Sequence, residues 1–177
     1  MATAVAAGRP ARAAGEGEWQ LSARLGGGTV SIDNRSPWGP VGGVDLEYGL
    51  TDAWAARLSV GASLNPVDAD MRARLPGGKV SSTTALAGIT YTFDVLRLVP
   101  YGELSLGFVR FGGAVTQPHS TLASELGLGA DYLLNRRWAV GISFQYLLAP
   151  TDLINNAMQL GGSPFAFSGT MRGSWMF

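Results

Sequence analysis

His119, the single histidine, stands beside Ser120 and six residues before Glu125. A hydroxyl, an imidazole and a carboxylate are the groups from which an acyl-transfer nucleophile is assembled. Such a set works only when the three side chains converge. The residue pattern described below leaves His119 in a long connection and turns Glu125 toward the polar face of a strand, so catalytic residues are not expected. Asp68-Ala69-Asp70 offers two carboxylates to a cation but lacks the fuller run of oxygen ligands that a calcium loop supplies, so a metal site is not expected either. Gly26-Gly27-Gly28 is followed by neither a helix nor a Lys-Ser/Thr pair, which removes a phosphate cradle and leaves a place where the chain bends at a strand's end. With no cysteine there is no thiolate, no disulfide and no Cys-based metal centre, a composition compatible with an oxidising compartment. No cofactor is implied.

The remaining ionisable residues of interest are Arg24, Asp45, Glu47, Arg57, Glu103, Glu125, Asp131 and Arg172, each flanked by apolar neighbours on both sides or one. Their meaning depends on which face of which element carries them. Over the whole chain, 13 basic residues balance 13 acidic ones, leaving no excess of positive charge to gather nucleic acid. The chain is 46% hydrophobic and only 15% charged, lean in charge for a surface that meets water. No run reaches the roughly 18 to 20 apolar residues of a spanning helix, because Gly, Ser, Thr and charged residues interrupt every one.

The elements that hold these charges read as strands. From Trp19 onward the apolar residues recur with a period of two, in segments of about ten punctuated by Gly, Pro, Asn and Asp. Trp19, Leu21, Ala23 and Leu25 share one face, with Gln20, Ser22, Arg24 and Gly26 on the other. Seven further segments repeat the alternation: Gly43–Leu50, Trp54–Leu64, Thr84–Phe93, Glu103–Phe108, Glu125–Tyr132, Trp138–Leu148 and Phe165–Phe177. Leu86 breaks the polar face once. Tight links fall at Thr51-Asp52-Ala53, Asp94 to Arg97 and Asn135-Arg136-Arg137, and longer polar ones at Ser31 to Pro40, Asn65 to Lys79, Gly112 to Ser120 and Ala149 to Ser163. About 9 to 11 tilted residues cross a hydrocarbon core, and short turns on one side with long loops on the other are the pattern of transmembrane barrels.

Period two alone does not say which face is buried. Three features turn the oily face outward. The polar face is rich in Gly and Ser and carries charges of both signs, as a cramped interior would. The aromatics Trp19, Tyr48, Trp54, Tyr91, Phe93, Tyr132, Trp138, Trp175 and Phe177 gather at the short-turn ends as a girdle, with Phe108, Phe144, Tyr146, Phe165 and Phe167 for a second ring on the loop side. Met171, Trp175 and Phe177 alternate at the C-terminus, which resembles the signal by which bacterial outer-membrane barrels are recognised for assembly. Leu98-Val99-Pro100-Tyr101-Gly102-Glu103-Leu104-Ser105-Leu106-Gly107, and Glu125 to Tyr132 followed by Arg137 to Gly141, are also similar to the small eight-stranded outer-membrane barrel superfamily of OmpA, OmpX and OmpW. The likeness covers Gly17 to Phe177 as a pattern.

The expected fold is therefore all-β, an eight-stranded antiparallel up-and-down transmembrane β-barrel with short periplasmic turns and long extracellular loops. Residues 1–16 are read as a signal-peptide remnant or disordered leader, with Ala11-Arg12-Ala13 as the small-x-small site, and 17–177 as the barrel. An eight-stranded interior is just wide enough for its own side chains, so the eight charges are expected to form a polar plug. A turn centred on Asp52 sets Glu47 opposite Arg57 as the best single ion pair. The resemblance implies a structural or surface-interaction role in the bacterial outer membrane. Outer-membrane lipid, lipopolysaccharide and the barrel-assembly machinery are the implied partners, together with an extracellular protein of unknown identity. The alternative is a narrow channel or carrier for small apolar molecules, and behind it stands a lipid A-modifying hydrolase built on His119, Ser120 and Glu125. A wall-binding tether of the OmpA kind is not expected.

Overall fold

In a computed structural model, described over residues 15–31, 37–66, 78–93, 97–113, 119–149 and 165–177, the chain forms eight antiparallel strands in one closed barrel. They are β1 (Trp19–Val30), β2 (Trp38–Gly49), β3 (Trp54–Pro66), β4 (Lys79–Thr92), β5 (Leu98–Gly113), β6 (His119–Leu133), β7 (Trp138–Leu148) and β8 (Phe165–Met176). Each strand pairs with its sequence neighbours, and β1 closes the ring on β8 from Gln20↔Met176 to Val30↔Ala166. Among the described residues no helix is long and apolar enough to cross a membrane.

The register fixes the size of the barrel. The row of partners that starts at Gln20 runs through Glu47, Arg57, Gly88, Ser105, Glu125, Leu147 and Ala166 and comes back to β1 at Val30, ten residues further along. Eight strands with that stagger give a tilt of about 40° and a backbone radius of roughly 8 Å. Subtracting side chains from both walls leaves an interior about as wide as those side chains fill.

Orientation follows the expected direction. Leu58, Val140 and Ile142 are 59%, 46% and 52% exposed on the outer face, whereas Glu47 and Arg57 are 4% and 1% exposed inside. A soluble barrel would bury the first set and hydrate the second, so the alternation here reports a wall between polar contents and an apolar medium.

The strands run further than the alternation alone suggests, and four expectations are corrected. Gly26-Gly27-Gly28 lies inside β1, paired on both sides, and not at a bend. The close approach of β8 requires it, because a Cβ on Gly26 would run into the Gly169 carbonyl. β2 begins at Trp38 and ends at Gly49, so Leu50 lies in the turn. His119 opens β6 opposite Phe111 instead of sitting in a loop, and only 114–118 separate β5 from β6. Finally, Leu86 is no lapse in a polar face. It is buried with Val30, Val109, Phe111, Ala123 and Leu147 in an apolar layer across the loop-side lumen. The leader before Gly15 and Asp68-Ala69-Asp70 lie outside the described residues.

Glycines on the inner wall set where bulky lumen groups can lie. The Tyr101 ring rests against Gly129 on the adjacent strand, so close that a Cβ there would collide with the ring, while Gly173, on the outer face of β8, has open space around it. Gly129→Ala should lower the stability of the folded barrel by about 1–3 kcal/mol through overpacking, with Gly173→Ala unchanged. Urea unfolding in lipid vesicles measures both, and equal midpoints for the two variants would refute the packing account.

Candidate functional site: a charged network sealed in the lumen

All eight inward charges meet. Hydrogen-bonded rows place Glu47, Arg57, Ser105 and Glu125 side by side on the inner wall, and a second row sets Asp131, Gly141, Arg172 and Arg24 in sequence. A guanidinium on a three-carbon stem is long enough to leave its own wall and reach across a lumen of this width.

Arg57 does so at the centre. Its Nη2 donates to Asp45 Oδ1 at 2.9 Å, and its Nη1 lies 3.0 Å from Glu103 Oε2 and 3.1 Å from Glu125 Oε1. Arg172 donates from Nη2 to Glu47 Oε1 at 2.8 Å and to Ser22 Oγ at 2.9 Å. Its Nη1 is 3.4 Å from Glu103 Oε1, its Nε 3.8 Å from Asp131 Oδ2, and its guanidinium carbon lies 4.9 Å from the Tyr101 ring centroid. Arg24 completes the set from the loop side, with Nε 2.7 Å from Asp45 Oδ2 and Nη2 donating to Ser59 Oγ at 2.8 Å. Arg24 and Arg172 are direct cross-strand neighbours, yet their side chains diverge, each toward a different carboxylate. Every carboxylate of the five has a guanidinium within 4.0 Å, the condition under which charge survives removal from water.

The register of the expected pair is correct: Glu47 is opposite Arg57. The pairing itself differs. Arg57 Nε to Glu47 Oε1 is the longest ion contact Arg57 makes, at 3.9 Å, and the short partner of Glu47 is Arg172. Neighbours across a hairpin point the same way, so an extended Arg57 passes Glu47 and finds Asp45 two residues along the same strand, with Glu103 and Glu125 on β5 and β6. Tyr101 escaped sequence reading, although its place between Val99 and Glu103 gives it the inward parity that the alternation assigns.

Two apolar layers enclose the network. Val99, Leu133, Ala139 and Met176 close the turn-side end, and the layer around Leu86 and Phe111 crosses the loop side. Between the charges and the loop-side mouth lies a cavity of about 60 Å³ lined by Arg24, Glu125, Ser63, Ser82 and Gln145, among others, with room for only a few waters. The His119–Ser120–Glu125 set does not assemble: Ser120 is on the exposed face of β6 and Glu125 on the buried one.

Outside, Trp19, Tyr48, Trp54, Tyr91, Phe93, Tyr132, Trp138, Trp175 and Phe177 lie around the turn-side end. They pack in pairs such as Trp19–Tyr48 at 4.8 Å, Trp54–Tyr91 at 4.7 Å and Trp175–Phe177 at 4.7 Å between ring centroids. The expected second ring is an arc, not a circle. Tyr146–Phe165 and Phe144–Phe167 pair at 5.7 and 6.3 Å on β7 and β8, and Trp38 stands on β2. Phe108 stands on β5, and beyond it toward the loops the outer face of β4 and β5 carries Thr83 and Arg110.

Residues 1–163 match the family described as outer membrane protein beta-barrel domain. The chain belongs to that family. Its members are proteins of the bacterial outer membrane, which is where this barrel resides. Solved structures share the fold. Neisserial surface protein A is 13% identical, with 92% of this chain covering 100% of that one at a TM-score of 0.72. The N-terminal β-barrel domain of Pseudomonas aeruginosa OprF is 14% identical, with coverage of 92% and 99% and a TM-score of 0.61. The attachment invasion locus protein of Yersinia pestis, Ail, is also 14% identical, with coverage of 92% and 99% and a TM-score of 0.59. No curated protein matches the chain in sequence.

Arg57 has a fully buried side chain and four carboxylates around it. Arg57→Ala should therefore destabilise the barrel by about 3–5 kcal/mol by stranding its partners. Unfolding of wild type and variant in lipid checks this, and an unchanged midpoint would show that the carboxylates do not depend on it.

Proposed function

We propose that this barrel is a structural or surface-interaction protein whose lumen is permanently plugged. At the coarser level it is an outer-membrane β-barrel of a family with surface, structural or small-molecule roles. The observation that carries the finer reading is the three-guanidinium, five-carboxylate network spanning the lumen between two apolar layers. A conducting path would have to displace paired, desolvated charges and two layers of packed hydrocarbon. That costs far more than thermal energy supplies.

With the interior closed, contact with other molecules falls to the outer wall and the loop-side end. The implied partners are outer-membrane lipid and lipopolysaccharide, the assembly machinery reading Met171, Trp175 and Phe177 on the outer face of β8, and an extracellular protein of unidentified kind. The names of Neisserial surface protein A and of the attachment invasion locus protein agree with a surface role, but at this identity the likeness speaks for fold alone. The role is non-catalytic in this reading, since Ser120 and Glu125 lie on opposite faces of one strand.

A narrow channel is the competing reading, and planar-bilayer recording separates the two. The wild-type barrel should insert without discrete single-channel steps. Steady, reproducible steps from properly folded protein would overturn the plug and favour a channel.

A further inference from the structure

The outer wall sorts its charges as strictly as the lumen does. Among the described strand residues, the charged side chains on the outer face are Lys79 and Arg110, both cations, on adjacent strands and both at the loop-side end. No acidic residue shares that face in the described strands, and neither cation has an ion partner there. A cation near the membrane edge costs about 0–1 kcal/mol, so its presence is tolerable. With no counter-charge among the described strand residues of that face, the pair of cations points outward for one.

The surroundings are specific. Thr83, Arg110 and Ser120 form one cross-strand row, all exposed. At about the same level β2 carries Trp38 and β8 carries Phe165 and Phe167, whereas β4 to β6 carry hydroxyls and cations. Directly below the row, toward the membrane centre, the wall is hollowed. Ala85 and Ala87 make a floor on β4, with Val60 and Leu58 rising on β3 and Phe108 and Leu106 on β5, pairwise in register. The concavity measures about 590 Å³ and its lining is apolar. A cationic, hydroxyl-bearing rim that continues into an apolar trough along the strand has the two halves of a lipid binding site in the order a membrane lipid presents them.

We propose that Arg110, with Thr83, Ser120 and Lys79, holds the phosphate of an anionic lipid of the loop-side leaflet, one of whose acyl chains lies in the Ala85–Ala87 trough. The guanidinium offers phosphate a planar pair of donors, the hydroxyls complete its oxygens, and Lys79 adds a second positive charge at the edge. The site rests on the membrane reading and gives its lipid partner a chemical identity: phosphate and acyl chain together.

The test uses the full chain in neutral detergent. Native mass spectrometry would follow retention of diphosphorylated lipid A against phosphatidylcholine, which bears phosphate but no net charge. Wild type should keep one lipid A where phosphatidylcholine is lost. Arg110→Gln with Lys79→Gln should lower that retention about tenfold. Arg110→Lys should recover part of it, and Ala87→Leu, which fills the trough, should weaken it without touching the cations. Arg97→Gln, which removes one cation at the turn-side end, should leave it unaltered. Equal retention in the double variant, equal retention of both lipids, or displacement by millimolar inorganic phosphate would each overturn the proposal. Heat-modifiable migration in the same samples reports folding. A wild-type chain that fails to enter bilayers at all defeats the membrane reading itself, whereas one that inserts without lipid selectivity defeats this site only.

Discussion

A hydrocarbon interior offers no hydrogen bonds, so a strand that crosses it must have a partner on both sides. The seam between β1 and β8 meets that requirement, with partners from Gln20 to Val30 along its whole length. Much else is a consequence of the closure. Eight strands and a ten-residue stagger determine the radius, and the radius determines that opposite walls touch through their side chains. In so narrow a tube an inward Tyr101 needs a glycine facing it, and Arg57 reaches past the directly opposed Glu47 to Asp45 on its own hairpin and to Glu103 and Glu125 on β5 and β6. Composition of the inner face is thus a packing solution before it is an electrostatic one.

The charges then do something an apolar filling would not. Buried ion networks give little net stability over a well-packed hydrocarbon core of the same volume. What they supply here is a large difference between the two faces of a strand. If β3 slipped by one residue, Arg57 would face acyl chains, at about 2–4 kcal/mol for an Arg at mid-bilayer, while its carboxylate partners stayed inside without it. Each charged strand carries the same penalty. The network therefore discriminates against wrong registers in a sheet whose glycine-rich strands would otherwise be weakly specified.

Most of the fold is legible in the sequence because one physical rule, alternation across a two-sided wall, repeats on every strand. Asp52 at the turn centre suffices to set Glu47 against Arg57. The partner of Glu47 is not legible, because Arg172 arrives from a strand 125 residues away and the reach of a side chain across the lumen leaves no mark on local spacing. The apolar lumen layers are hidden for a different reason. Val109 and Phe111 flank the outward Arg110, which inverts the alternation there, and Leu147 lies between the outward Tyr146 and Leu148 in a continuous apolar run. Strand ends suffer the same loss. Gly26-Gly27-Gly28 reads as a break from one strand alone and as a contact surface only when β8 is beside it. Likewise His119 reads as loop until Phe111 is seen opposite.

Inside and outside pose opposite electrostatic problems. Within the lumen, cations and anions lie at contact distance, and each of the five carboxylates has a guanidinium beside it. On the outer face no such compensation exists among the described strands, and the field of Lys79 and Arg110 is directed toward the leaflet edge. In the proposed reading the interior stays closed. Selectivity toward other molecules is left to residues that alternation places outside and near the loop-side end. Those positions are least constrained by closure, since a side chain at the membrane boundary neither fills the lumen nor has to be apolar, and there the family fold leaves a chain most room to differ from its relatives.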